Sequence, residues 1–334
     1  MKIFKIKKLN GVLIFCFFII ASPAFILYNN GYAAYPEKDI DFLVSGSAGG
    51  GLNLTARAIT TTLKDSGLCN KTFIITNKGS GSGNIATAEL VSRKGERYLI
   101  YLNSNRIYLN FLSKTSPYSH KDITPIARLT SETPSWAVRA DSKYKKIDDV
   151  LQDVKADPTS VVFGIDSVPS NVQLTILRTL KLAGVDLNKA KIVMYRGGGE
   201  MLTQLIGGHV PVICIPASEA ISHVEGGKMR LIGVAGSERI NVDALKGVPT
   251  FTEQGFPIVV HHWRGVFGPP SMPAEARDYF INLFKKMSNS PQWKKMLDNY
   301  TQTNAFIAGD EFVAQLEKES SEAKSLLKEI GYIK

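Results

Sequence analysis

Cysteine is scarce in this chain, with three in 334 residues, and none stands in a pattern that holds a metal. Cys16 lies inside an apolar run, Cys214 in the apolar stretch VPVICIP, and Cys69 just ahead of a strand. A buried free thiol is the expectation for Cys214, while a Cys69–Cys214 bond stays open in an oxidising compartment. Histidine is equally thin. His261 and His262 are adjacent, so on a strand they point to opposite faces and cannot chelate one ion together. His120, His209 and His223 stand in no triad context. Nucleotide motifs are missing too. No G-x-x-x-x-G-K-[ST] occurs, and GSAGGG does not fit G-x-G-x-x-G. Where a dinucleotide fold places an acid to hold a ribose, the chain reads Thr76-Asn77-Lys78. A nucleophile elbow needs serine at the centre of G-x-S-x-G, and in Gly79-Ser80-Gly81-Ser82-Gly83 that place belongs to Gly81. Positive charges are scattered, with no basic stripe interleaved with aromatics, which argues against nucleic acid. No internal repeat and no low-complexity segment occurs.

What is present begins with Lys2, Lys5, Lys7 and Lys8, followed by an apolar stretch over 12–26 and the small residues Gly31, Ala33 and Ala34. That order predicts a secretory signal peptide over 1–34, cleaved on export to the periplasm. The competing reading is an uncleaved anchor, since the run is nearly long enough to span a bilayer, but Pro23 interrupts it. The formal charge is +10, and loss of the four lysines leaves about +6 by the same count. A mild positive field suits a small anionic ligand.

The chain's 44% apolar content suffices for two lobes beyond residue 34 as well. Short apolar strands, expected at 40–44, 73–76, 98–102, 136–139, 161–165, 192–195, 210–215, 231–234 and 259–267, alternate with helical patterns. That alternation signals an α/β fold with mainly parallel sheets. The helix in SNVQLTILRTLKLAG places Val172, Ile176, Leu177 and Leu180 on one face and stops at Gly184. A later helix is expected to open with Pro273 in its first turn, and the last to be capped by Asp310.

Four loops follow strand ends, the edge at which open α/β sheets bind ligands. The first, 45–53, lets glycine backbone approach a ligand, with Asn53 expected to cap the next helix. The second, 76–84, repeats the design with Asn84 as the cap. In the third, 164–171, hydroxyls and an amide precede a helix. In the fourth, 195–200, Arg196 stands beside three glycines. Free N–H groups at helix starts favour an anion.

The stretches YPEKDIDFLVSGSAGGGLNLTARAI, GSGSGNIATAELV, ITPIARL, VMYRGGGEMLTQLIGGHVPV, ISHVEGGKMRLIGVAGSERI and GVPTFTEQGFP, in that order and spacing, resemble the periplasmic receptors of tripartite tricarboxylate transporters, the Bug receptors. The resemblance covers essentially the whole chain after residue 34. It implies a two-lobed venus-flytrap with two crossovers: lobe I at 35–136 plus 255–334, lobe II at 137–254. It also implies a monomeric, non-enzymatic binding protein without cofactor or metal, which passes small carboxylates to a membrane permease. Carried onto this chain, Ser47, Ala48, Gly49, Gly50, Asn53, Gly81, Ser82 and Asn84 would line lobe I. Ser167, Ser170, Asn171, Tyr195, Arg196 and Gly197 would line lobe II. A carboxylate takes several N–H and hydroxyl donors, with water bridging the remainder.

The chain departs from the family pattern where it has Ala48 for a usual proline and Asn53 for a usual aspartate. Losing that aspartate favours a more anionic ligand or removes a contact to a ligand amine. The third loop carries Ile165, Asp166 and Pro169 where small residues are usual. Asp166 has two readings, a pair with Arg196 or a pocket contact to a cationic or hydroxylated part of the ligand. Arg106 is either a second anion contact or, slightly favoured, a solvated helix-start residue. Trp263 is either an aromatic wall of the pocket or core. Dicarboxylates, tricarboxylates, aromatic acids and amino acids all remain open as ligands. The alternative functions are a binding protein that signals to a membrane sensor kinase and, third, a secreted hydrolase.

Overall fold

Strand formation follows the apolar runs. A computed structural model describes residues 35–334 apart from 196, 197 and 301. The expected signal peptide, Arg196 and Gly197 lie outside the described residues. In chain order the elements are β1 (Ile40–Val44), α1 (Gly51–Asp65), β2 (Phe73–Asn77), α2 (Asn84–Ser92), β3 (Leu99–Ser104), α3 (Arg106–Leu112) and β4 (Thr124–Glu132). Then come β5 (Pro134–Arg139), α4 (Ile147–Ala156), β6 (Val162–Ile165), α5 (Asn171–Leu182), β7 (Lys191–Met194), α6 (Gly198–Ile206), β8 (Val212–Pro216), α7 (Ala217–Glu225) and β9 (Met229–Val234). The chain closes with β10 (His262–Gly268), α8 (Ala274–Ser288), α9 (Pro291–Asn299), β11 (Thr303–Ala308) and α10 (Gly309–Glu329).

Two sheets result. The first runs β11-β4-β10-β3-β1-β2 and the second β7-β6-β8-β5-β9. Both are mixed, not mainly parallel. β1 pairs parallel with β2 and β3, whereas β10 runs antiparallel to β3 and β4, and β11 antiparallel to β4. In the second sheet β6 is parallel to β7 and β8, and β5 antiparallel to β8 and β9. The antiparallel pairs arise where the chain changes sheet: only Thr133 separates β4 from β5, and β10 returns to the first sheet after β9.

Each sheet has apolar cores on both faces, sorted by strand alternation. Phe42, Val44, Ile100 and Leu102 point to α1, α8 and α9, while Leu43, Leu99 and Tyr101 point to the opposite face. In β8, Val212 and Cys214 join one core, and Ile213 and Ile215 the other. The two cysteines among the described residues are free, Cys214 buried and Cys69 half-buried. α1 buries Leu52, Ala56, Ile59 and Leu63 along one stripe. On α5, Val172, Ile176 and Leu180 are at most 2% exposed. Helix starts deviate from the expectations by a residue or more. α8 begins at Ala274 with Pro273 as its cap residue. α10 begins at Gly309 behind Ala308, so Asp310 sits in the first turn, where its charge meets the helix dipole, and is not the cap. Trp263 belongs to the core. It is fully buried against Phe312, with ring centroids 5.7 Å apart, and its Nε1 donates to Glu319 at 2.6 Å.

Candidate binding cleft

Because β1 and β2 are neighbours and parallel, the turns after them lie side by side at one end of the first sheet. Gly83, at φ 85°, is what lets them touch: a Cβ there would stand 2.8 Å from that of Ser45. Asn53 does not cap α1. The cap residue is Gly50, and Asn53, buried at 2% exposure, uses its amide as a buckle. Its Oδ1 accepts from Gly49 N at 3.1 Å and Arg57 Nε at 3.2 Å, and its Nδ2 donates to Asn77 Oδ1 at 3.0 Å. Asn84 is likewise no cap. Gly83 holds that place, and Asn84 donates to Thr115 O at 2.8 Å and accepts from Asn110 Nδ2 at 2.7 Å. Both asparagines therefore shape the turns. Ser47, Ala48, Gly49 and Gly81 are exposed, and Gly50 and Ser82 half-buried, on the same end.

At the second sheet, Ser170 caps α5, accepting from Gln173 N at 3.2 Å and donating to Ser167 O at 2.7 Å. Ser167 donates to Asp166 Oδ1 at 2.9 Å. Tyr195 is half-buried, its N–H donating to Ile165 O at 2.9 Å. Asp166 faces the first sheet's Arg106, Nη2 to Oδ2 3.7 Å, so Arg106 is no solvated helix-start residue; its side chain is 18% exposed. The expected Asp166–Arg196 pair involves a residue outside the described ones. The carbonyl of His261 accepts from Asn105 Nδ2 at 3.2 Å and Asn171 Nδ2 at 3.0 Å, one donor from each sheet's loops.

Between these ends lies a set of charges that the sequence reading does not pick out. Arg264 on β10 contacts Glu132 at the end of β4, 2.8 Å apart, with both side chains at most 4% exposed. Glu132 also accepts from Ser218 Oγ at 2.5 Å and Gln302 Nε2 at 3.1 Å. Glu219, one residue into α7 from Ser218, is pushed up to about 8. Burial is the main cause, the nearby Glu132 and Asp166 charges add to it, and Arg264 and Arg106 oppose it. His262 is held well below its ordinary value, first by burial and then by Arg264 and Arg106. A cavity of about 180 Å³ adjoins the set, lined among others by Gly51, Thr55, Glu132, Ser218, Glu219 and Gln302. Among the described residues no group of three or more His, Cys, Asp or Glu could hold a metal ion. The one available signal for Arg264 was a charge inside the apolar stretch HHWRGVF. Glu132 and Glu219 left none, since each reads locally as an ordinary polar end of its element.

Two lobes whose glycine and hydroxyl turns meet around buried charges define a ligand-binding clamshell. The model of the tripartite tricarboxylate transporter family receptor matches residues 56–332, and the chain belongs to that family. BugT of Bordetella pertussis is 24% identical over 240 residues, covering 70% of this chain and 72% of BugT. Among solved structures, an R. palustris protein with adipate superposes with a TM-score of 0.81 at 21% identity, over 89% of this chain and 98% of that one. MatC from Rhodopseudomonas palustris with bound malate gives 0.74 at 21% identity, over 88% and 100%. No helix among the described residues is long and apolar enough to cross a membrane.

Proposed function

We propose that this chain is an extracytoplasmic receptor, not an enzyme, that traps a small carboxylate between its lobes and delivers it to the membrane permease of a tripartite tricarboxylate-type transporter. The observation that carries the reading is that loop residues of the two sheets meet, Asp166 after β6 facing Arg106 after β3 and Asn105 and Asn171 sharing the His261 carbonyl, with the buried Arg264 on β10. Adipate and malate in two structural neighbours fit the same ligand class. Residues 1–34 serve as the cleaved export signal, and the mature chain works as a monomer in the periplasm. The lobes are 35–132 with 262–334 and 134–260, with pivots at Thr133 and His261; the boundaries expected at 136/137 and 254/255 shift because Trp136 pairs in the second sheet and Ile258 packs in its core. Closure is driven by the ligand's preference for the closed form.

The test is a thermal-shift screen of the chain from Tyr35, unfolded and refolded to strip carried-over ligand, against dicarboxylates, tricarboxylates, aromatic acids and amino acids. A ligand at 100 times its Kd is expected to stabilise by ~2.7 kcal/mol. No shift with any carboxylate would overturn the reading. Arg196→Ala is expected to weaken carboxylate binding by ~1.5–3 kcal/mol, the range for a charge-assisted hydrogen bond. An unchanged affinity by calorimetry removes Arg196 from the site.

A further inference from the structure

The two arginines of the cleft each face an acid: Arg264 meets Glu132 and Arg106 meets Asp166. Glu219 is left over. Its carboxyl makes no hydrogen bond or ion pair with any described residue. It is wedged between the first residues of two helices, one from each sheet. A methyl on Gly51, which opens α1, would come 3.3 Å from its Oε1, and one on Gly198, which opens α6, 2.5 Å from its Oε2. The same Gly51 methyl would stand 3.0 Å from Nη2 of Arg264, a side chain 3% exposed whose Nε has no partner among the described residues. Helix starts, a buried guanidinium with one unpartnered nitrogen and an uncommitted carboxyl therefore meet beside the cavity.

Resting on the receptor reading above, we propose that Glu219 is the specificity residue that meets the ligand's carboxylate, and that it does so as the neutral acid, donating its proton in a hydrogen bond. Capture of the anion then requires that proton. The logic is electrostatic. The N–H groups at the starts of α1 and α6 draw an anion to this spot, and an ionised Glu219 standing there would repel it. A protonated carboxyl instead offers one more donor, and an O–H to carboxylate bond is among the stronger kinds. Among the described residues, the charged groups acting on Glu219 are Glu132 from β4, Asp166 from the turn after β6, Arg264 from β10 and Arg106 from α3. Burial and the two acids place the ionisation of Glu219 at about 8, so the acid is neutral below that pH and charged above it.

The experiment is calorimetric titration of wild type and Glu219→Gln with malate and adipate from pH 6.5 to 9.5. Both ligands are dianions throughout, since carboxylic acids ionise at about 4. Wild-type affinity is expected to hold up to about pH 7.5 and to fall toward tenfold per pH unit beyond 8. Glu219→Gln keeps a donor and loses the charge, so its affinity is expected to stay level across the range. Wild-type titrations at pH 8.5 in buffers of different ionisation enthalpy are expected to show proton uptake on binding, a readout that does not depend on the variant folding. A level wild-type profile with no proton uptake overturns the inference and leaves the receptor reading standing. Affinity that rises with pH, lost in Glu219→Gln, also overturns it and marks Glu219 as partner of a ligand cation. Absence of carboxylate binding at every pH overturns both.

Discussion

Arg264→Ala is expected to destabilise the protein by about 3–5 kcal/mol, because it strands the carboxylate of Glu132 in a site with almost no access to water. Glu132 would keep the hydrogen bonds from Ser218 and Gln302, but neither carries a compensating charge. The double variant Glu132→Gln, Arg264→Met removes both charges together and is expected to recover most of the loss, since a buried pair and an apolar replacement of similar volume are often close in free energy. Urea unfolding of the three proteins checks this. A single variant within 1 kcal/mol of wild type, against the expected loss, would mean that the pair is solvated.

A second large effect is expected from Trp263→Ala, about 3–5 kcal/mol, the usual cost of emptying an aromatic core site. The ring packs against Tyr108, Phe267 and Phe312 on the face of the first sheet covered by α10. Its indole N–H also holds Glu319, which faces Arg128 at 3.7 Å. Trp263→Phe refills most of the volume and loses the hydrogen bond to a charged acceptor, about 1.5–3 kcal/mol. Because the ring lies behind the sheet, the Phe variant is expected to bind ligand with wild-type affinity. A loss of affinity without a loss of stability would place Trp263 in the pocket wall after all.

These two residues also mark where the sequence was legible. Strands with continuous apolar runs, such as 98–102 and 210–215, were readable because burial on both faces leaves no polar alternation. β4 and β11 were not. β4 carries Arg128, Thr130, Ser131 and Glu132, yet lies inside the sheet between β10 and β11, with Arg128 Nε satisfied by Ala305 O at 2.9 Å. Only tertiary partners make that strand acceptable. The glycine turns were legible as turns, but the capping rule misassigned Asn53 and Asn84. Glycine took both cap positions, and the amides reached Asn77, Asn110 and Thr115, neighbours in space that local spacing does not reveal. The charged set was the least legible. Glu132, Glu219 and Arg264 lie on three elements far apart in sequence, and β4–β10 pairing is what brings the first and last together.

The cleft between the two sheets is expected to hold a carboxylate. Isothermal titration of the stripped chain from Tyr35 with malate, adipate and a tricarboxylate at pH 7 tests it most directly. Saturable binding of at least one of them at one site per chain is expected, abolished or strongly weakened when Gly51 is replaced by a bulkier residue that fills the spot between Arg264 and Glu219. No binding of any of the three, together with silence across the wider carboxylate panel, would contradict it.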